Sequence, residues 1–164
     1  MRLRSAEVAD AAAIAALYAP HVLHGTATFE EEAPGAGEMA LRIERVRLLG
    51  WPWLVLADGS DILGYAYAAQ FRDRHAYRFA AEDSVYIRDD CLGRGHGRRL
   101  LTALLDQAVA ADFRRMFAVI GDSANHGSIR LHEALGFSHA GCLRNAGFKF
   151  GRWLDVVLME RDLP

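Results

Sequence analysis

The run with the clearest chemical potential is Val85-Tyr86-Ile87-Arg88-Asp89-Asp90-Cys91-Leu92-Gly93-Arg94-Gly95-His96-Gly97-Arg98-Arg99-Leu100-Leu101. An apolar stretch of strand character enters a turn with glycine at every second position, and the turn opens directly into a helix. Consecutive backbone N–H groups in such a turn can converge with no Cβ in the way. The positive end of the helix dipole adds to their field, so the loop suits a phosphate or pyrophosphate. Gly93, Gly95 and Gly97 supply the bend, and Arg94, Arg98 and Arg99 bring positive charge. A tight strand-to-helix turn with no ligand is the competing reading. Two nucleotide fingerprints fit badly. The dinucleotide motif needs G-x-G-x-x-G and an acid ending the next strand, whereas here the third glycine comes two residues after the second and Met116–Ile120 ends in Gly121. The P-loop needs Gly-Lys-Ser/Thr, and Gly97 is followed by Arg-Arg.

Other candidates flank this run. Glu82 stands beside Asp83 just before the strand, as a general base or as a solvated acidic strand end. Arg72-Asp73-Arg74-His75-Ala76-Tyr77 offers guanidinium groups for a carboxylate or phosphinate and a phenol hydroxyl, or is simply a solvated charged loop. His132 is an imidazole that can donate a proton near neutral pH, or a structural histidine. His21 and His24 are three apart at a helix end without an evident third ligand; they read as structural or surface residues, and no metal is expected. Trp51, Trp53 and Trp153 read as core and interface residues.

These residues need a scaffold, and its elements are legible. Arg2–Arg4 reads as a short strand, and Val8–His24 as a helix with Ala11, Ile14, Leu17, Tyr18 and Val22 at helical spacing, stopped by Gly25. Thr26–Glu32 is a polar connection around Phe29, and Gly37–Leu49 a second helix ended by Gly50. Trp53–Ala57 and Ile62–Phe71 are strands joined by Asp58-Gly59-Ser60-Asp61. Ser84–Arg88 is a further strand, and Gly97–Ala111 a helix with Leu100, Leu101, Leu104, Leu105 and Ala108 in one stripe. Met116–Gly121, a short helix His126–Leu135 closed by Gly136, and the strands Ser138–Asn145 and Arg152–Asp162 complete a mixed α/β order.

Composition bounds the rest. At about 100–200 residues per domain, 164 residues make one domain, 1–164, and 52% hydrophobic content with a net charge of -2 excludes a disordered chain and gives no electrostatic case for nucleic acid. Cys91 and Cys142 form no CxxC, which suggests a reducing compartment without structural zinc. The Ala-rich start is broken by Glu7 and Asp10 and reads as an amphipathic helix rather than a signal peptide. Nothing is long and apolar enough to span a membrane, so a cytoplasmic location is expected.

The strand, the turn Gly93–Gly97 and the Leu-rich helix resemble the acetyl-CoA signature of the GNAT superfamily of N-acetyltransferases. Four further stretches narrow the resemblance: Tyr77-Arg-Phe-Ala-Ala-Glu82-Asp-Ser84-Val85-Tyr86, Ala118-Val-Ile-Gly121, Arg130-Leu-His132-Glu-Ala-Leu-Gly-Phe137 and Lys149-Phe-Gly-Arg-Trp153-Leu-Asp155. In that order they are similar to the phosphinothricin/methionine sulfoximine acetyltransferase branch, over nearly the whole chain. The resemblance implies the GNAT fold: a mixed central sheet, helices on both faces, and a strand pair splayed by a bulge in the strand before the glycine turn. It implies that Val85, Tyr86 and Ile87 pair with the pantetheine arm of acetyl-CoA, while Gly93, Arg94, Gly95, His96, Gly97 and Arg98 hold its diphosphate. Asn125 would bind the pantetheine amides and small Ala134 leave room for the arm. Glu82 becomes the general base and His132, where the broad family often has a tyrosine, the proton donor to the departing sulfur. Phe29, Arg72, Arg74, His75, Tyr77 and Lys149 become the acceptor-binding residues, with Lys149 near a dimer contact. One departure stands out: Leu92 occupies the position where the family usually has Gln or Arg, so weaker or slower cofactor binding is expected.

The implied activity is acetyl transfer to the α-amino group of a small amino acid-like acid, in a homodimer, without metal. A protein N-terminus or a polyamine is an alternative acceptor, although the basic 72–78 loop favours an anionic group. A non-catalytic acyl-CoA sensor would keep the glycine turn and lose the base.

Overall fold

Alternation along the second strand explains how one sheet carries two cores. In the computed structural model, which describes residues 1–164, Trp53, Val55 and Ala57 face one side of the sheet, and Leu54 and Leu56 face the other. The elements run β1 (Arg2–Ser5), α1 (Ala11–His24), α2 (Ala36–Leu48), β2 (Trp53–Asp58), β3 (Asp61–Gln70), β4 (Ala80–Ile87), α3 (His96–Ala110), β5 (Arg115–Gly121), α4 (His126–Ala134), β6 (Ser138–Lys149) and β7 (Arg152–Asp162). The seven strands form one sheet in the order β1-β2-β3-β4-β5-β7-β6. Every neighbouring pair is antiparallel except β4 and β5, which are parallel.

On one face α1 and α2 bury Ile14, Tyr18, Met39 and Ile43 against Trp53, Val55 and Tyr65. On the other, α3 buries Leu100, Leu101, Leu104 and Leu105 against Leu54, Leu56, Met116 and Met159. Each such leucine stabilises the fold by about 1.5–3 kcal/mol, so the α3 stripe fixes the glycine turn that precedes it against the sheet. No helix is long and apolar enough to cross a membrane.

Two element boundaries differ from the expected ones in ways that matter. β4 begins at Ala80 rather than Ser84, so Glu82 lies within the strand instead of ahead of it. β6 extends to Lys149 because it pairs with β7 around the tight turn at Phe150 and Gly151.

The parallel pairing of β4 with β5 is short. It covers Ala80↔Arg115, Ala81↔Met116 and Glu82↔Phe117, and beyond Glu82 the strands part. The expected bulge in β4 is not found: its register on β3 is unbroken from Gln70↔Ala81 to Gly64↔Ile87. β5 stays paired with β7 up to Gly121, so the sheet opens between two strands that each keep their other neighbour.

Candidate active site

The opening between β4 and β5 widens into a cleft of about 900 Å³. Residues 82 to 87 form one wall, and the turn and first residues of α3 form one end. Gly93 and Gly95 have φ of +71° and +78°, the left-handed region that costs an L side chain about 1–2 kcal/mol. The N–H groups of Gly93, Arg94 and Gly95 make no backbone hydrogen bond, and those of His96, Gly97 and Arg98 sit in the first turn of α3, where no intrahelical acceptor exists. Six successive donors are therefore open at the positive end of a 15-residue helix, an arrangement that fits a diphosphate.

Along β4, even-numbered residues direct their main-chain groups to β3, as the Arg88 N–H to Leu63 carbonyl bond of 2.9 Å marks. Odd-numbered residues direct theirs into the opening. Val85 thus presents an unpaired N–H and C=O there, while the Ile87 carbonyl accepts from His21 Nε2 at 2.9 Å. His21, expected to be structural or on the surface, lines the cleft against the Tyr86 ring.

Glu82 is half-buried on the cleft wall, with Arg72 at 3.9 Å from its carboxylate. Burial raises its pKa above the ordinary glutamate value; Arg72 opposes the shift and Asp83 adds to it. His132 is only 2% exposed. Its Nδ1 lies 2.7 Å from the Ser128 carbonyl, and its Nε2 lies 3.0 Å from Asp83 Oδ1. Burial disfavours the charged imidazole, but the Asp83 hydrogen bond and charge, with the Ser128 carbonyl, outweigh it and raise the pKa above the ordinary histidine value. Asn125 caps α4, its Oδ1 accepting from Ser128 N–H at 3.2 Å, which leaves its amide nitrogen as the free end toward the cleft.

The connection between α1 and α2 closes the other side. Thr28 Oγ1 and Tyr18 Oη are 2.7 Å apart, the Tyr18 hydroxyl lies 3.1 Å from Glu30 Oε1, and Arg42 clamps both Glu30 oxygens. Thr26 donates to Asp122 at 2.6 Å, the leading reason the Asp122 carboxyl is held below the usual range. Phe29 lies against Gly121 and Gly147: a Cβ on Gly147 would come within 2.2 Å of its ring.

Of the residues expected at the site, Phe29, Glu82, Val85, Tyr86, Ile87, Gly93, Gly95, His96, Gly97, Arg98, Asn125 and His132 line the cleft. Arg94 is exposed and off its wall, as are Arg74, His75 and Tyr77, which occupy an exposed turn ahead of β4. Arg72 meets the site only through Glu82. Two expectations are corrected. Ala134 lines a separate surface pocket with Arg115, Glu160 and Arg161, because α4 turns that face away from the opening. Lys149 is 2% exposed and does not reach the cleft; its Nζ donates to the Gly25 carbonyl at 2.9 Å and the Thr28 carbonyl at 2.8 Å, beneath the loop that carries Phe29. Sequence reasoning missed Tyr18, Thr28, Glu30 and Asp83 on the cleft wall. The polar Tyr18 on an otherwise apolar helix face was the available signal.

The family model for the acetyltransferase (GNAT) domain matches residues 3–158. The chain is 50% identical over 154 residues to a phosphinothricin N-acetyltransferase of Alcaligenes faecalis, covering 94% of this chain and 78% of that protein. It is 37% identical over 163 residues to an L-methionine sulfoximine/L-methionine sulfone acetyltransferase of Salmonella typhimurium, covering 99% and 95%. The crystal structure of a phosphinothricin acetyltransferase from Sinorhizobium meliloti in complex with acetyl-CoA superposes with a TM-score of 0.94 at 46% identity, covering 99% of this chain and 88% of that one.

Proposed function

Since the chain belongs to the GNAT acetyltransferase family, we propose that it transfers acetyl from acetyl-CoA to the α-amino group of a small amino acid-like acid, of the phosphinothricin, methionine sulfoximine or methionine sulfone type. Residues 1–164 act as one catalytic unit. The observation that carries the reading is the end of the β4–β5 pairing at Glu82↔Phe117, which opens the sheet beside a turn with six free amides.

When bound, acetyl-CoA supplies a thioester, a carbonyl carbon activated toward a nucleophilic nitrogen. The amides of residues 93 to 98 and the Arg98 guanidinium grip the diphosphate, and Arg94 adds charge from outside the cleft wall. Val85 pairs its main chain with the pantetheine arm as an added strand, flanked by Tyr86 and Ile87, and the Asn125 amide nitrogen donates to the arm. Glu82 accepts a proton from the acceptor ammonium through a water. Its raised pKa matches it to that task better than an ordinary carboxylate. His132 holds the proton that neutralises the departing sulfur. Phe29 walls the acceptor site, Arg72 faces the acceptor's carboxylate beside Glu82, and Arg74, His75 and Tyr77 complete an anion-binding rim.

The same reading includes a cytoplasmic homodimer. Leu143, Phe148, Phe150 and Trp153 are each more than half exposed on the β6–β7 hairpin at the sheet edge, an apolar surface suited to a second copy. The test is a thiol-release assay with acetyl-CoA against amino acids, methionine sulfoximine, methionine sulfone, phosphinothricin, a polyamine and a peptide N-terminus. Release above the no-acceptor rate with one of the small acids is the expected result. Release with the polyamine or peptide alone overturns the acceptor class, and silence across the panel overturns the enzymatic reading.

A further inference from the structure

Where β4 and β5 part, consecutive side chains leave β4 on opposite faces of the sheet. Glu82 leaves on the α1/α2 face with Tyr86, whose ring packs on Tyr18 and His21. Asp83 leaves on the α3/α4 face, where Oδ1 accepts from His132 Nε2 at 3.0 Å. Both side chains line the cleft. The second Asp83 oxygen, Oδ2, is buried and has no hydrogen-bond partner.

Both ring nitrogens of His132 face acceptors, and the ring lines the cleft. Ser128 of α4 takes Nδ1 at 2.7 Å, Phe137 stands edge-on to the ring at 4.9 Å, and Asp83 from β4 is the one charged group in hydrogen-bond contact. Glu82 lies on the far face, with Arg72 beyond it. Two acceptors face the two ring nitrogens, and only the doubly protonated imidazolium satisfies both. A buried ion pair is weak support for a fold, and a carboxylate oxygen left without a donor weakens it further, so packing alone gives little reason for this arrangement.

Resting on the reading of His132 as proton donor, we propose that Asp83 is a positioning residue for acetyl transfer, keeping His132 charged at the edge of the opening while Glu82 serves the opposite face of the sheet. Glu82 takes one proton from the acceptor ammonium, and the nitrogen lone pair forms the C–N bond. The C–S bond breaks with its electron pair on sulfur, and sulfur, entering beside Asp83 Oδ1, takes the Nε2 proton that His132 and Asp83 shared. The second proton leaving nitrogen recharges the imidazole, and the proton taken by Glu82 passes to solvent.

The test is Asp83→Asn, which keeps the shape and removes the charge. In the ligand-free protein, NMR titration of His132 is expected to move down by about one pH unit or more. The alkaline limb of kcat shifts down with it, and kcat above that limb falls about tenfold per unit, with KM for both substrates within a factor of about two. A donor must be protonated, so activity is present below the His132 pKa and lost as pH rises through it. Wild-type His132 titrating below the ordinary histidine value of about 6.5 overturns the proposal whether or not the variant folds. His132→Gln separates the two readings. If it removes the alkaline limb while Asp83→Asn leaves that limb in place, Asp83 has no such role and His132 keeps its own. If His132→Gln changes neither kcat nor the limb, the underlying reading fails and the Asp83 proposal with it.

Discussion

Lys149→Met tests whether the cleft wall formed by the Phe29 loop is held from beneath. The Lys149 ammonium is 2% exposed and donates to the Gly25 and Thr28 carbonyls at 2.9 and 2.8 Å, with the Phe150 ring 5.0 Å away. Burial lowers its pKa from the ordinary lysine value, so the charge is already held at a cost. Methionine has a similar length and no donor. The Thr28 carbonyl, in a residue that is itself buried, then loses its partner, at about 1–3 kcal/mol, while relief of the desolvated charge offsets part of that loss. A net loss of about 1–2 kcal/mol corresponds to a Tm lower by about 2–8 °C for a chain of this size. The larger effect falls on function. Thr28 precedes Phe29, and a displacement of about 1 Å in a positioning element can cost about 100-fold in rate, so a partial displacement lowers kcat/KM for the acceptor by about tenfold. The Lys149 hydrogen bonds go to Gly25 and Thr28 and not to residues 93 to 98, so acetyl-CoA affinity measured by calorimetry stays within a factor of about two. Differential scanning calorimetry and steady-state kinetics with each substrate varied provide the readouts. An unchanged Tm together with an unchanged acceptor kcat/KM refutes the reasoning, because two charge-assisted hydrogen bonds from a buried ammonium would then hold nothing in place.

Other parts of the site make separate predictions. Glu82→Gln lowers kcat by about 100-fold or more and removes the acid limb of the pH profile; in the wild type that limb lies above the ordinary glutamate value, because burial raises the pKa and activity needs the ionised form. Arg72→Ala moves the same limb further up, since Arg72 opposes the shift, and raises acceptor KM; a stationary limb disconnects Arg72 from Glu82. Gly147→Ala drives a methyl to within 2.2 Å of the Phe29 ring, so stability falls by about 1–3 kcal/mol in thermal unfolding, and adding Phe29→Ala recovers most of it. Leu92→Gln, at a position 58% exposed on the cleft rim, adds a donor beside the glycine turn and tightens acetyl-CoA binding by about fivefold in calorimetry, as one hydrogen bond of about 1 kcal/mol implies.

Periodicity made the frame readable. The leucine stripe from Leu100 to Leu105 and the alternation from Trp53 to Ala57 each encode which face is buried, and the glycines at 93, 95 and 97 encode a bend that few other residues adopt. The amide-lined end of the cleft was legible because its donors belong to consecutive backbone amides, so local sequence alone arranges them. Glu82 was found by resemblance, yet its place inside β4 was not, because Glu-Asp lowers strand propensity and the pairing with Phe71 and β5 overrides it. The roles of Lys149 and Ala134 were misjudged for a related reason. The loop and the strand end that Lys149 joins are 121 residues apart, and the face of α4 on which Ala134 sits depends on how that helix docks.

What the sequence by itself determined, then, was every feature carried by neighbours along the chain: helix faces, strand alternation, the amide-lined turn and the charge it attracts. The tertiary structure alone decided where β4 leaves β5, which carboxylate meets His132, and that the chain's one lysine lies under the loop that carries Phe29. Those features depend on strand registers and long-range contacts between segments that share no local pattern, and they form only when both faces of the sheet are packed.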